Sequence, residues 1–320
     1  MKLAGILAAS LAAVALAGAS QAQTVGIVAT QPGSYTHSAS TAVAKAVADL
    51  TKLQVRVIAQ GASPQYSIEA GTGEFGLSNS FDNVFFATGT GEYQGEGPKP
   101  NLRIVGNLTP LTTTLYVKKD SDIKTVKDLK GKRLGGGFTA QKTIARISEA
   151  MLATANLTYN DVRMVPAANI VNAADDFAAG KADAFSFALG SAKVKEIDAK
   201  VGLRGLSFDP SPDSIARMQK ILPGAYTMRV NPRPGLDAVI EPIDSCAFDF
   251  LLVTSLKVPE DTVYKVTKAV HDGKASMLAT FPALTLFDPD KMAAKNYPPL
   301  QYHPGAVKYY QEIGQWPPKS

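Results

Sequence analysis

Two stretches of this 320-residue chain run through the same order of elements, and few folds accommodate such a repeat. Apolar periodicity and turn residues place a strand at 25–29, a polar loop at 31–38, an amphipathic helix at 39–50 and a strand at 54–59. A loop at 60–64, a helix to 70 and a strand at 74–78 complete the first copy. From 132 the order returns: strand 132–135, loop 136–140, helix 141–153, strand 161–165, loop 166–169, helix to 179 and strand 182–188. Over a fixed shift of 107 positions, Val55-Arg56-Val57 falls on Val162-Arg163-Met164, and Gly73 on Gly180. Each copy reads as a parallel α/β unit of strand–helix–strand crossovers. The fold class this predicts is α/β in two lobes, each a mostly parallel sheet flanked by helices, joined by a hinge.

Open α/β sheets take their ligands beyond the carboxyl ends of the strands. Here those ends are 30–37, 60–63 and 79–82 in the first lobe, and 136–143, 167–169 and 188–191 in the second. They are rich in Ser, Thr, Asn, Gln and Gly and poor in catalytic groups. Helices expected to begin near Ser38 and Thr139 turn backbone N–H groups toward the same region, which suits something small and carboxylated. The stretch 203–244, rich in Pro and Gly, shows few periodic runs and is expected to finish the second lobe and cross back. An apolar strand at 246–254 follows, then a helix opened by Pro259-Glu260-Asp261 that continues to about His271. Lobe one is then discontinuous, 23–118 plus 240–320, with lobe two at 119–239.

Residues 1–22 read as a secretory signal peptide: Lys2, an apolar run from Leu3 to Ala17, and small residues at Ser20 and Ala22 before a cleavage site. The run falls short of the roughly 20 residues that cross a bilayer. The mature protein is expected in the periplasm, cleaved after Ala22, soluble and monomeric. At 45% hydrophobic and 19% charged the composition excludes a disordered chain, and a single cysteine excludes a disulfide scaffold. The net charge of +5 is spread without a basic run, so no nucleic-acid partner is expected. Cys246, between Ser245 and Ala247-Phe248, reads as a buried structural thiol.

Several motifs resemble chemistry without its context. Gly71-Thr72-Gly73-Glu74-Phe75-Gly76 spells the dinucleotide pattern, but a helix precedes it and a strand follows, so the glycines read as a helix cap and turn. Gly135-Gly136-Gly137 lies between strand and helix but lacks the Lys-Ser/Thr of a phosphate loop, and reads as close backbone approach to a ligand. His37, His271 and His303 form no metal-ligand spacing, and no Gly-x-Ser-x-Gly elbow positions a nucleophile. No metal, cofactor or catalytic residue is expected. Lys142, in the first turn of its helix, opposes the helix dipole, which a carboxylate partner would explain.

The closing segment Tyr302-His303-Pro304-Gly305-Ala306-Val307-Lys308-Tyr309-Tyr310-Gln311-Glu312-Ile313-Gly314 is similar to the end signature of the TAXI solute-binding proteins. These are the periplasmic receptors of tripartite ATP-independent periplasmic (TRAP) transporters. Asp128-Leu129-Lys130-Gly131-Lys132-Arg133, Ala179-Gly180-Lys181-Ala182-Asp183-Ala184 and Val258-Pro259-Glu260-Asp261-Thr262-Val263-Tyr264 agree as well. The resemblance implies the two-lobe type II periplasmic binding fold, with glutamate, glutamine or 2-oxoglutarate as typical cargo and a permease driven by an ion gradient as partner. It carries the family's ligand loops onto Gly33, Ser34 and Tyr35, Gly61 to Ser63, Ser78 to Ser80, Phe138 to Thr143, and Gly190 with Ser191. The chain departs from the family pattern at Thr36-His37 and at Phe138, Gln141 and Lys142, both in ligand loops.

The expected ligand contacts are Ser34, Tyr35, Ser63, Asn79, Thr139, Gln141, Thr143 and Ser191, with His37 and Lys142 as charge partners. The function expected is capture of a small organic acid or amino acid for a TRAP permease. The same fold serving a membrane sensor kinase is the alternative, and an exported hydrolase a remote one.

Overall fold

A computed structural model of the chain describes residues 24–318; the expected signal peptide lies outside them. The first copy of the repeat comprises β1 (Thr24–Ala29), α1 (Tyr35–Leu50), β2 (Gln54–Ala59), α2 (Pro64–Ala70) and β3 (Phe75–Asn79), followed by α3 (Ser80–Thr88). A long strand β4 (Leu102–Lys118) leads to the second copy. There β5 (Arg133–Gly136), α4 (Lys142–Ala153), β6 (Arg163–Pro166), α5 (Ile170–Ala178), β7 (Ala184–Ala188) and α6 (Ala192–Val201) repeat the order. β8 (Leu203–Gly205), α7 (Pro212–Ile221) and β9 (Tyr226–Val230) occupy the stretch whose periodicity was weak. The chain returns along β10 (Ile243–Ser255) and ends with α8 (Glu260–Asp272), α9 (Lys274–Thr280), β11 (Gln301–Tyr302) and α10 (Pro304–Glu312).

The strands join in the order β2-β1-β3-β10-β4-β7-β5-β6. β1 pairs in parallel with β2 and β3, and β5 in parallel with β6 and β7, so each copy forms its own parallel leaf. A β1 dominated by Val and Ile, buried along its length beyond Thr24, is what a leaf covered on both faces requires. β4 and β10 run antiparallel through both leaves. β10 pairs with β9 over Ile243–Ala247 and with β3 over Phe250–Thr254, while β4 meets β7 at Thr113–Val117. Two irregularities in their pairing, between Phe250 and Leu251 and between Leu252 and Val253, lie where β10 also pairs with β3. The carboxyl ends of β3 and β7 thus meet the middle of the same two strands, at Asn79 opposite Phe250 and Ala188 opposite Thr113.

The repeat is geometric, with one slip. Thr24 pairs with Gln54 as Arg133 pairs with Arg163, the same spacing in both copies. α5 has nine residues where α2 has seven, and this moves the register by two. Gly180 therefore matches Gly71, not Gly73. Both glycines follow their helix at φ of +77° and +75°, and the next residues, Lys181 and Thr72, donate N–H to Asp176 and Ser67 at 2.9 Å. Gly135 answers a packing need: a Cβ there would lie 3.0 Å from that of Ala173 on α5, so its small size admits the helix, where a ligand was expected. α1 and α4 begin at Tyr35 and Lys142, away from the starts expected near Ser38 and Thr139. At the far end His303 caps α10, its Nδ1 accepting from Gly305 N at 3.1 Å, while its own N–H donates to Ile104 at 2.8 Å.

Candidate ligand-binding site

Where the strand ends converge, a cavity of about 90 Å³ lies between the lobes. Lobe one contributes Thr30, Ser34, Tyr35, Ser63, Ser78, Asn79 and Asp82, and lobe two Gln141, Thr143, Ile144, Ile147, Ile170, Ser186 and Phe187. Leu111, Thr113, Phe248 and Phe250 come from the connecting strands. Ser34, Asn79 and Gln141 are the N-cap residues of α1, α3 and α4, so three helices present the positive ends of their dipoles here. Their side chains divide the work. Ser34 Oγ accepts from His37 N at 3.1 Å, and Gln141 Oε1 reaches across to accept from Ile170 N at 3.1 Å. Asn79 makes no side-chain bond to its helix, which leaves its amide available to a solute.

The charged group of the cavity is Asp82, in the first turn of α3 and only 4% exposed. Tyr93 OH donates to its Oδ1 at 2.8 Å and Gln65 Nε2 to its Oδ2 at 2.9 Å. Thr143 of lobe two lines the same cavity. Burial pushes the Asp82 carboxyl up to about 6; Tyr93, Gln65 and Thr143 hold it down in part, and nearby Glu92 raises it further. No Lys, Arg or His lines the cavity among the described residues. The cations of α4 are engaged beside it: Arg146 Nε lies 2.5 Å from Glu92 and 5.1 Å over the Phe85 ring, and Lys142 Nζ lies 3.6 Å from Glu96. These pairs tie lobe two to lobe one along the cavity rim. On another side, Lys193 N of α6 donates to Gly33 O at 3.0 Å.

Six of the ten expected residues line this cavity together: Ser34, Tyr35, Ser63, Asn79, Gln141 and Thr143. Tyr35 also has a packing role, its ring edge-on to Phe250 and Phe281 and its hydroxyl 3.4 Å from Ala283 O. His37 and Ser191 line a separate groove together with Lys195 and Asp237, and the Ser191 hydroxyl donates to Ala188 O at 2.8 Å. Thr139 is exposed and Lys142 points to solvent beside Glu96, so neither expected charge partner, Lys142 or His37, reaches the cavity. Sequence reasoning placed Thr30 and Asp82 in the strand ends that face the ligand without choosing them as contacts, and it missed Thr113 and Ser186. The pair Asn79 and Asp82 had a signal, an N-cap residue with an acidic residue in the first turn, which marks a helix start. The burial of Asp82 had none.

Cys246 is buried and its thiol is pushed up to about 12 by that burial, as an inert structural cysteine should be. Among the described residues no helix is long and apolar enough to cross a membrane, and no cluster of three potential ligands could hold a metal ion.

The model of the NMT1-like family matches residues 21–314. Among solved structures, one described as a periplasmic transporter aligns with a TM-score of 0.56 and 15% identity, over 93% of this chain and 95% of that one. The alkanesulfonate-binding protein SsuA from Xanthomonas axonopodis pv. citri, bound to MOPS, aligns at 0.51 and 16%, over 92% and 84%. An ancestral arginine-binding protein bound to arginine aligns at 0.50 and 14%, over 83% and 98%. At these identities the likeness is one of fold, the two-lobe type II periplasmic binding fold.

Proposed function

Because the chain belongs to the NMT1-like family, we propose that it is a periplasmic solute receptor, closing its lobes over a small organic acid or amino acid and delivering it to a membrane permease. The observation that carries this reading is the cavity itself. Polar side chains from both lobes and from the strands that join them face one small space. A solute there gains contacts from both lobes at once only when they close, so binding shifts an open–closed equilibrium toward the closed form. The permease would recognise that form. An acidic end of the solute has the N-termini of α1, α3 and α4 to meet it. The resemblance to TAXI receptors points to a TRAP permease as partner and to export with cleavage after Ala22.

The hydroxyls in the cavity support binding over turnover. Ser34 Oγ lies 2.7 Å from Thr30 Oγ1, Ser78 donates to Asn83 Oδ1 at 2.6 Å, and Ser186 lies 2.8 Å from Ser148. Each is engaged with an amide or another hydroxyl, not with a base that could activate it.

The test is a thermal-shift screen of the purified chain, unfolded and refolded to strip retained solute, against small acids and amino acids. A solute at 100 times its dissociation constant adds about 2.7 kcal/mol of stability. A rise in midpoint with one solute, reduced in Asn79→Ala, supports the receptor. A cooperative melt that no small acid or amino acid moves refutes it.

A further inference from the structure

We infer that Asp82 is the specificity-determining residue of the cavity and that it takes the primary ammonium of the solute, an inference that rests on the receptor reading above. The cargo is then an amine-bearing solute, an amino acid or a small amine. Acids without an amine, 2-oxoglutarate among them, are rejected.

The argument begins with the hydrogen-bond inventory around the carboxylate. A carboxylate offers about four acceptor positions, and Asp82 receives two hydrogen bonds, from Tyr93 and Gln65. Both donors are neutral. Its surroundings are short of donors. Gln65 is fully buried and spends its Nε2 on Asp82, which fixes the orientation of the amide and leaves its Oε1 without a donor. Glu92 Oε2 is likewise buried without one.

Charge points the same way. On this side of the interlobe contact stand three carboxylates, Asp82, Glu92 and Glu96, and two ion pairs that cross between the lobes. Arg146 pairs with Glu92 and Lys142 with Glu96, so the carboxylate left without a cation is the one that lines the cavity. A buried charge without a counter-ion is unfavourable, and a binding site built this way discriminates strongly, because only a cationic group completes it. A second carboxylate in that position would face repulsion in a low-dielectric space. The apolar part of the lining, with Leu111, Ile144, Phe187 and Phe248, suits a short apolar body. Because Asp82 of lobe one and Thr143 of lobe two line the same cavity, a solute held by the carboxylate also meets lobe two, which joins recognition to lobe closure.

The rival account is that Asp82 merely anchors α3 to Gln65 and Tyr93. A neutral amide would then serve as well, and amine-free acids would bind normally. Calorimetric titrations of the purified chain with matched pairs separate the two: L-leucine with 2-oxoisocaproate, L-valine with 2-oxoisovalerate, and L-glutamate with 2-oxoglutarate. Each pair exchanges the α-ammonium for a ketone oxygen and keeps the rest of the solute. The expected result is that at least one amino acid binds about 30-fold or more tightly than its oxo partner. In Asp82→Asn that preference should shrink to about threefold or less. The wild-type comparison decides even if the variant fails to fold. An oxo acid that binds as tightly as its amino partner, or a folded Asp82→Asn chain that keeps the preference, overturns the assignment and leaves the receptor reading standing. If no member of any pair binds, the assignment and the receptor reading for small acids fall together.

Discussion

The buried Asp82 carboxyl should make the solute-free protein less stable as pH rises through the weakly acidic range, and Asp82→Asn should abolish that loss. The Asp82 carboxyl titrates at about 6 in the folded chain, raised from the ordinary 3.8 chiefly by burial. Below both values the acid is neutral whether folded or unfolded, and it has no effect on the balance. As pH climbs from 3.8 toward 6 the unfolded chain releases this proton and the folded chain retains it, so stability falls. Above 6 the full penalty is present. At about 1.4 kcal/mol per pH unit, the distance between 3.8 and about 6 is worth about 3 kcal/mol. The substitution removes the titration, and Gln65 can turn its amide so that its unpartnered Oε1 accepts from the new side chain. Urea denaturation of the solute-free chain and of Asp82→Asn, at several values between about pH 4 and pH 7.5, measures the difference. The unfolding free energy of the variant minus that of the wild type should widen by about 2.5 kcal/mol across that range. Parallel curves, within about 0.5 kcal/mol, would refute the reasoning and show that the carboxylate is well compensated without a solute.

Three further outcomes follow from the geometry. Arg146→Ala leaves Glu92 buried without its cation and strips the Phe85 ring of its cover; a loss of about 2 kcal/mol in urea denaturation and weaker solute binding are expected. Gly305→Ala drives a Cβ into the backbone of Glu260 where α10 packs on the start of α8, and its melting midpoint should fall by the equivalent of about 1–3 kcal/mol. Cys246, buried and with its thiol near 12, should resist an alkylating reagent at neutral pH in the folded chain and react promptly in urea, as mass spectrometry would show.

Much of the fold was legible because it rests on local patterns. The apolar run in β1 and the strand at Phe248–Val253 are each readable from a few neighbouring residues. α7 had its own punctuation, Ser211 as cap with Pro212 and Asp213 in the first turn, but short flanking strands hid it. The site was less legible. Backbone positions at strand ends, such as Ser34, Asn79 and Thr143, follow from the topology of parallel leaves, and the cavity gathers them. The electrostatics do not follow from it. Asp82 is buried by Gln65, Tyr93 and Thr143, brought to it by three different parts of the chain. Lys142, expected to serve the solute, is exposed and pairs with Glu96 instead, a partner distant in the chain.

The most direct test of the central claim is a crystal structure of the chain grown with the probe that binds it most tightly. The solute should lie between the lobes, within about 3 Å of the side chains of Asn79 and Thr143. A solute found instead in the groove lined by His37 and Ser191 would contradict the account.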